Sequence, residues 1–120
     1  MNRKQFTEQV VQKRINKIRD VLDSKADEYA SDSSAFYNFE RLGEIERRKP
    51  KESLWSLAGK HLVCIIDMVE SDELFSDDYI DEKIGDMINY LILLEGILKS
   101  ESKCCGDWDD LGNCKEICKK

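Results

Sequence analysis

A chain of 120 residues has room for one domain with a single core, and a composition that is 41% hydrophobic and 37% charged, with one proline, suits an all-helical protein better than a strand-rich or disordered one. The net charge of -6 and pI of about 4.9 set the surface as a whole against phosphate backbones and anionic membranes, which excludes nucleic acid held by bulk charge. No apolar run follows Met1-Asn2-Arg3-Lys4-Gln5 and none nears the roughly 20 residues that span a bilayer, so a cytoplasmic protein is expected, whose five cysteines stay as thiols or bind metal.

The first predicted helix covers residues 4–29. Val11, Ile15, Ile18 and Leu22 recur at helical spacing and give it one apolar side. Lys25 and Tyr29 extend that side, placing a cation and a hydroxyl at the core's edge within reach of an anionic ligand; the plainer alternative is that stem and ring pack while the polar tips meet water. Residues 30–34 read as a turn, with Ser33 or Ser34 as the N-cap of a second helix whose apolar side is Phe36, Phe39, Leu42 and Ile45. Asn38 sits beside Phe39. Glu46-Arg47-Arg48-Lys49-Pro50 should end this helix, since proline cannot continue it and a basic run suits a C-terminus.

Ser53 is the expected cap of a third helix over residues 54–70, with Leu54, Leu57, Ala58, His61, Leu62, Ile65, Met68 and Val69 on a broad apolar side. His61 falls inside that arc, where a hydrogen-bonded core histidine is a better reading than a metal ligand. Lys60, Cys64 and Asp67 follow one another along the flank at i, i+4, i+7. An acidic connection over residues 71–78 is short enough to make the third and fourth helices antiparallel neighbours, with Asp77 or Asp78 as the next cap. In the fourth helix Ile80, Ile84, Met87, Ile88, Leu91, Leu94 and Leu98 form the predicted core side, and Glu82, Asp86 and Asn89 a polar line beside it. The pattern breaks after Lys99. The expected architecture is an all-α compact bundle of four main helices (residues 1–100) with a cysteine-bearing tail (101–120), self-associating through apolar surface that four helices leave uncovered.

Two groups of residues carry possible chemistry. Asp67 and Glu70 end the third helix where Glu82 and Asp86 begin the fourth, and carboxylates from two facing helices could share Mg²⁺, a hard cation that takes oxygen ligands and keeps waters that substrate phosphates displace. Lys25 and Lys60 would then meet the phosphates. Singly, each acid also reads as a solvated flank residue or a complement to the helix dipole. In the tail, Cys104, Cys105, Cys114 and Cys118 could make a structural Zn²⁺ site, although the spacing is not a repeated C-x-x-C pair, and a disulfide or free thiols fit equally well.

Lys25-Ala26-Asp27-Glu28-Tyr29, Asn38-Phe39, Lys60-His61 and Asp81-Glu82-Lys83-Ile84-Gly85-Asp86-Met87-Ile88-Asn89-Tyr90 together resemble a small phage-type group related to the MazG-like all-α nucleoside triphosphate pyrophosphohydrolases, over roughly residues 20–98. The resemblance implies an oligomeric helical bundle that binds Mg²⁺ through acids on two helices and cleaves a nucleotide between its α and β phosphates. It implies Glu82 and Asp86 as catalytic metal-site acids; beside them, the reading of the residues adds Asp67 as a ligand from the facing helix and Lys25, Tyr29, Asn38, Lys60 and Asn89 around the nucleotide. Lys83 stands where that pattern, Glu-Glu-Leu-Gly-Asp, has its second acid, and no Glu-Glu-x-x-Glu occurs between Lys60 and Asp67. Two functions are therefore carried forward: a MazG-like nucleotide-binding protein or Mg²⁺-dependent hydrolase of (d)NTP to (d)NMP and pyrophosphate, and a non-enzymatic, anti-CRISPR-like inhibitor whose acidic surface occupies a basic host defence factor. Acids converging on a pocket would favour the first, acids spread over an exposed face the second.

Overall fold

The computed structural model describes residues 1–24 and 34–101. Among them the chain is all-α: four helices and no strand. α1, residues 3–24, is one continuous rod in three segments, an opening α-helical turn Arg3–Phe6, a π-helical stretch Thr7–Gln12 and an α-helix Lys13–Ser24. It starts on a capping box in which Asn2 Oδ1 accepts from Gln5 N at 2.8 Å and Gln5 Oε1 accepts from Asn2 N at 2.9 Å. α2 is Tyr37–Glu46, α3 Pro50–Glu70 and α4 Asp77–Glu101.

Helix boundaries follow local chemistry, with three corrections to the expected caps. Pro50 opens α3 rather than merely ending α2, because its fixed φ and missing N–H suit the first helical position. Ser53 is consequently buried inside α3, and its hydroxyl donates to Glu46 Oε1 at 2.7 Å. At α4 the cap is Ser76, whose Oγ accepts from Tyr79 N at 3.2 Å; Asp77 and Asp78 lie in the first turn, where their charge favours the helix N-terminus. α2 begins at Tyr37, one turn after the expected cap, although Ser34 Oγ does accept from Phe36 N at 3.1 Å.

α2 and α3 are joined by a three-residue corner. Arg47 takes the left-handed conformation (φ 57°) and Arg48 N donates to Gly43 O at 2.9 Å, which closes the last turn of α2. α3 and α4 then run antiparallel: Lys51 meets Glu101 at 2.8 Å at one end, Leu54 packs with Ile97, and His61 meets Tyr90 further along. Phe39 from α2 joins Leu54 and Ile97 at the centre of the core, with Phe36, Leu57, Tyr90, Leu93 and Leu94 around them. The Phe36 ring lies where a side chain on Gly96 would be, 2.6 Å from that Cβ position.

The core face of α4 differs from the predicted one. Met87 and Ile97 are buried with Tyr90, Leu93 and Leu94 beside them, whereas Ile80, Leu91 and Leu98 are exposed. α4 is apolar over more than one face, and packing with α2 and α3 selects one of them. α1 lies against another. Among the described helices α1 packs on α4 alone. No helix among the described residues is long and apolar enough to cross a membrane.

Candidate functional site

α1 and α4 border an open cavity of about 290 Å³. From α4 come Asp78, Asp81, Glu82, Asp86 and Asn89, and from α1 Arg14, Lys17 and Val21. The first turns of a helix bring acids three and four apart onto one side, so Asp78, Asp81, Glu82 and Asp86 follow from α4 being helical through this stretch. Gly85 is the gap in that row: a Cβ there would lie 2.5 Å from an Arg14 guanidinium nitrogen. The missing side chain lets the Arg14 head approach the α4 backbone.

Arg14 Nη2 donates to the Asp81 carbonyl at 3.2 Å and to its carboxylate at 3.4 Å, and Lys17 Nζ to the other carboxylate oxygen at 2.6 Å. The Lys17 hydrogen bond, chief among the causes, and the charges of Lys17, Arg14 and Lys13 hold the Asp81 carboxyl below its ordinary value of 3.8 against the opposing effect of burial. Lys83 sits 3.6 Å from Glu82 and 5.3 Å over the Tyr79 ring; the Glu82 charge chiefly raises its pKa. Asp86 faces two ways. It lines the cavity and stands 3.6 Å from His61 Nδ1, while the His61 ring packs on Tyr90 with centroids 5.0 Å apart. Asn89 Oδ1 is buried with no hydrogen-bond partner among the described residues.

Of the residues singled out from the sequence, Glu82, Asp86 and Asn89 thus share one cavity. Asp67 and Lys60 are exposed on α3 and do not line it, and Asn38 is exposed near the start of α2. Lys25, Tyr29, Cys104, Cys105, Cys114 and Cys118 lie outside the described residues. Arg14 and Lys17 are the site's cations and were missed, since they fall on the polar side of α1. Their signal was the pairing of a basic stretch, Lys13-Arg14-x-x-Lys17, with an acidic one, Asp77-Asp78-x-x-Asp81-Glu82, around a mid-helix glycine.

No three His, Cys, Asp or Glu side chains among the described residues are grouped so as to hold a metal ion. Glu82 and Asp86, one turn apart, amount to a two-carboxylate set. That is the number by which Mg²⁺ is commonly bound when waters and substrate phosphates complete its octahedron, so the residues suit an ion arriving with a phosphate ligand better than one held by protein alone.

No known family model matches the chain, and neither a curated protein nor a solved structure is significantly similar to it. Its function is therefore argued from the site.

Proposed function

We propose that the protein binds a magnesium-complexed nucleotide in the α1–α4 cavity, as a MazG-like nucleotide-binding protein, and that the reaction suited to this site is hydrolysis of a (d)NTP to (d)NMP and pyrophosphate. The observation that carries this reading is the convergence of Glu82, Asp86 and Asn89 on one cavity that Arg14 and Lys17 also enter. Carboxylates for a cation and cations for phosphates, side by side, match the two opposite charges of such a ligand. Magnesium carried by the nucleotide would polarise a phosphoryl oxygen. Glu82 and Asp86 would hold the ion's position, Arg14 and Lys17 would contact phosphate oxygens, and the buried Asn89 Oδ1 would accept from an N–H or O–H of the base or sugar. An acceptor left buried and unsatisfied costs about 1–3 kcal/mol, so a ligand that reached it would gain selectivity.

Equilibrium binding and pyrophosphate release, measured across a panel of NTPs and dNTPs with Mg²⁺ or Mn²⁺, test this. At least one nucleotide should bind more tightly with the metal than without, and Asp86→Asn should weaken that binding and any release by about tenfold, the size expected for losing a charged contact. Release indifferent to Asp86→Asn would overturn the assigned site. Failure of every nucleotide to bind would overturn the reading.

A second reading has its own observation: Asp67, Glu70, Asp72, Glu73, Asp77 and Asp78, six acids around the α3–α4 connection, are all exposed. Such an end would suit a non-enzymatic inhibitor that occupies the basic groove of a nucleic-acid-binding host factor. Both readings accommodate a homo-oligomer, for which the exposed Leu62, Val63, Ile66 and Val69 of α3 offer the surface.

A further inference from the structure

We infer that α1 is an electrostatically latched arm: it is held on α4 with the help of the clamp of Arg14 and Lys17 on Asp81, and its release parts the two walls of the α1–α4 cavity. α1 is a 22-residue rod by its numbering, yet none of its residues is fully buried, and only Arg14, Ile18, Val21 and Leu22 are half-buried. Phe6, Val10, Val11 and Ile15, which would fasten an ordinary amphipathic helix, are exposed. Between the first half of α1 and the start of α4 a groove of about 720 Å³ stays open, bordered by Val10, Ile80, Ile84 and Ile88. Packed interiors leave few voids larger than a water molecule, so this half of the arm stands off its neighbour.

Besides the half-buried Ile18, Val21 and Leu22, what α1 makes on α4 is polar and local. Arg14 reaches the Asp81 carbonyl and carboxylate, Lys17 reaches the same carboxylate at 2.6 Å, and the Gly85 gap admits the guanidinium. Since α1 packs on no other described helix, these contacts, with the half-buried Ile18, Val21 and Leu22, hold it on α4. The Lys17 side chain is 47% exposed and that of Asp81 41%, so salt reaches and screens the pair. Both cations also line the cavity. An anion entering it would compete with Asp81 for them, which couples filling of the cavity to the position of the arm. The latch does not require that anion to be a nucleotide.

Amide hydrogen exchange of the full chain, without any ligand, tests the inference. Raising NaCl from about 0.05 M to about 0.5 M should speed exchange of the amides in residues 13–24 by about fivefold, the upper range for partly exposed ion pairs, while amides around Leu54 in α3 and Ile97 in α4 keep their rates. Asp81→Asn and Lys17→Ala should each produce that acceleration already at low salt and blunt the salt response. Rates in residues 13–24 that ignore both salt and Lys17→Ala, or that rise and fall in step with the α3–α4 core, would overturn it.

Discussion

Asp81 is pulled in one direction by three cations and is half-exposed, so its titration reports the clamp. The Lys17 hydrogen bond is the largest influence and lowers the pKa, followed by a weaker upward effect of burial and then by the charges of Lys17, Arg14 and Lys13. A carboxyl whose folded pKa is depressed contributes stability that is present above its unfolded value and is lost as pH falls through the folded one. The docking contribution of Asp81 should therefore hold at neutral pH and fade below the ordinary value of 3.8. A carboxyl-detected NMR titration should find Asp81 ionising below that value, and Lys17→Ala should move it back up. An Asp81 midpoint unchanged by Lys17→Ala would assign the depression to some other group. Glu46 follows the same sign at the opposite corner, where the Ser53 hydroxyl and then Arg48 lower its pKa.

At the scale of elements, the α2–α3 corner depends on a glycine in a way that sets steric fit against helix propensity. A Cβ on Gly43 would lie 2.7 Å from the Arg48 carbonyl oxygen and 3.3 Å from Pro50 N. Both are backbone atoms that cannot swing aside. Alanine would gain roughly 0.8–1 kcal/mol of helix propensity over glycine, but overpacking of this kind costs about 1–3 kcal/mol, so Gly43→Ala should destabilise the protein by up to about 2 kcal/mol net. Chemical denaturation checks this, and a raised midpoint would show that the corner can open at little cost. Neither this contact nor the face of α4 was legible in the sequence. The existence of four helices was, because Phe36 and Phe39, Leu54 and Ala58, and Met87 and Leu94 keep helical spacing. α4, however, carries apolar residues on more than one side, and periodicity alone cannot choose between Met87 with Ile97 and Ile80 with Leu98. The acidic line Glu82, Asp86 and Asn89 was readable from spacing within one helix. The cations Arg14 and Lys17 were not, since their pairing with the neighbouring Asp81 is a contact across more than sixty residues of chain.

At the scale of the whole molecule, the apolar side chains buried among the described residues are Phe39, Leu54, Ala58, Met87 and Ile97. Each large one stabilises by about 1.5–3 kcal/mol when fully buried, against a backbone entropy cost of about 1–2 kcal/mol for every residue ordered. Meanwhile Leu62, Ile66 and Val69 recur at i, i+4, i+7 on α3 with Val63 beside them, and Val69 is 80% exposed. That spacing is what one helix presents to another, and a second copy supplies the same row in return, as a two-fold interface requires. The proposed self-association would move these side chains out of water without changing α2–α4 packing. Sedimentation equilibrium should then return a multiple of 14.0 kDa, and Ile66→Glu should return the single-chain mass. Because Ile66 is 44% exposed, the charge costs the isolated fold little, so helical circular dichroism should survive the substitution while the mass falls. A wild-type mass of one chain, or a multiple that persists in Ile66→Glu, would mean that this row of α3 joins no second copy.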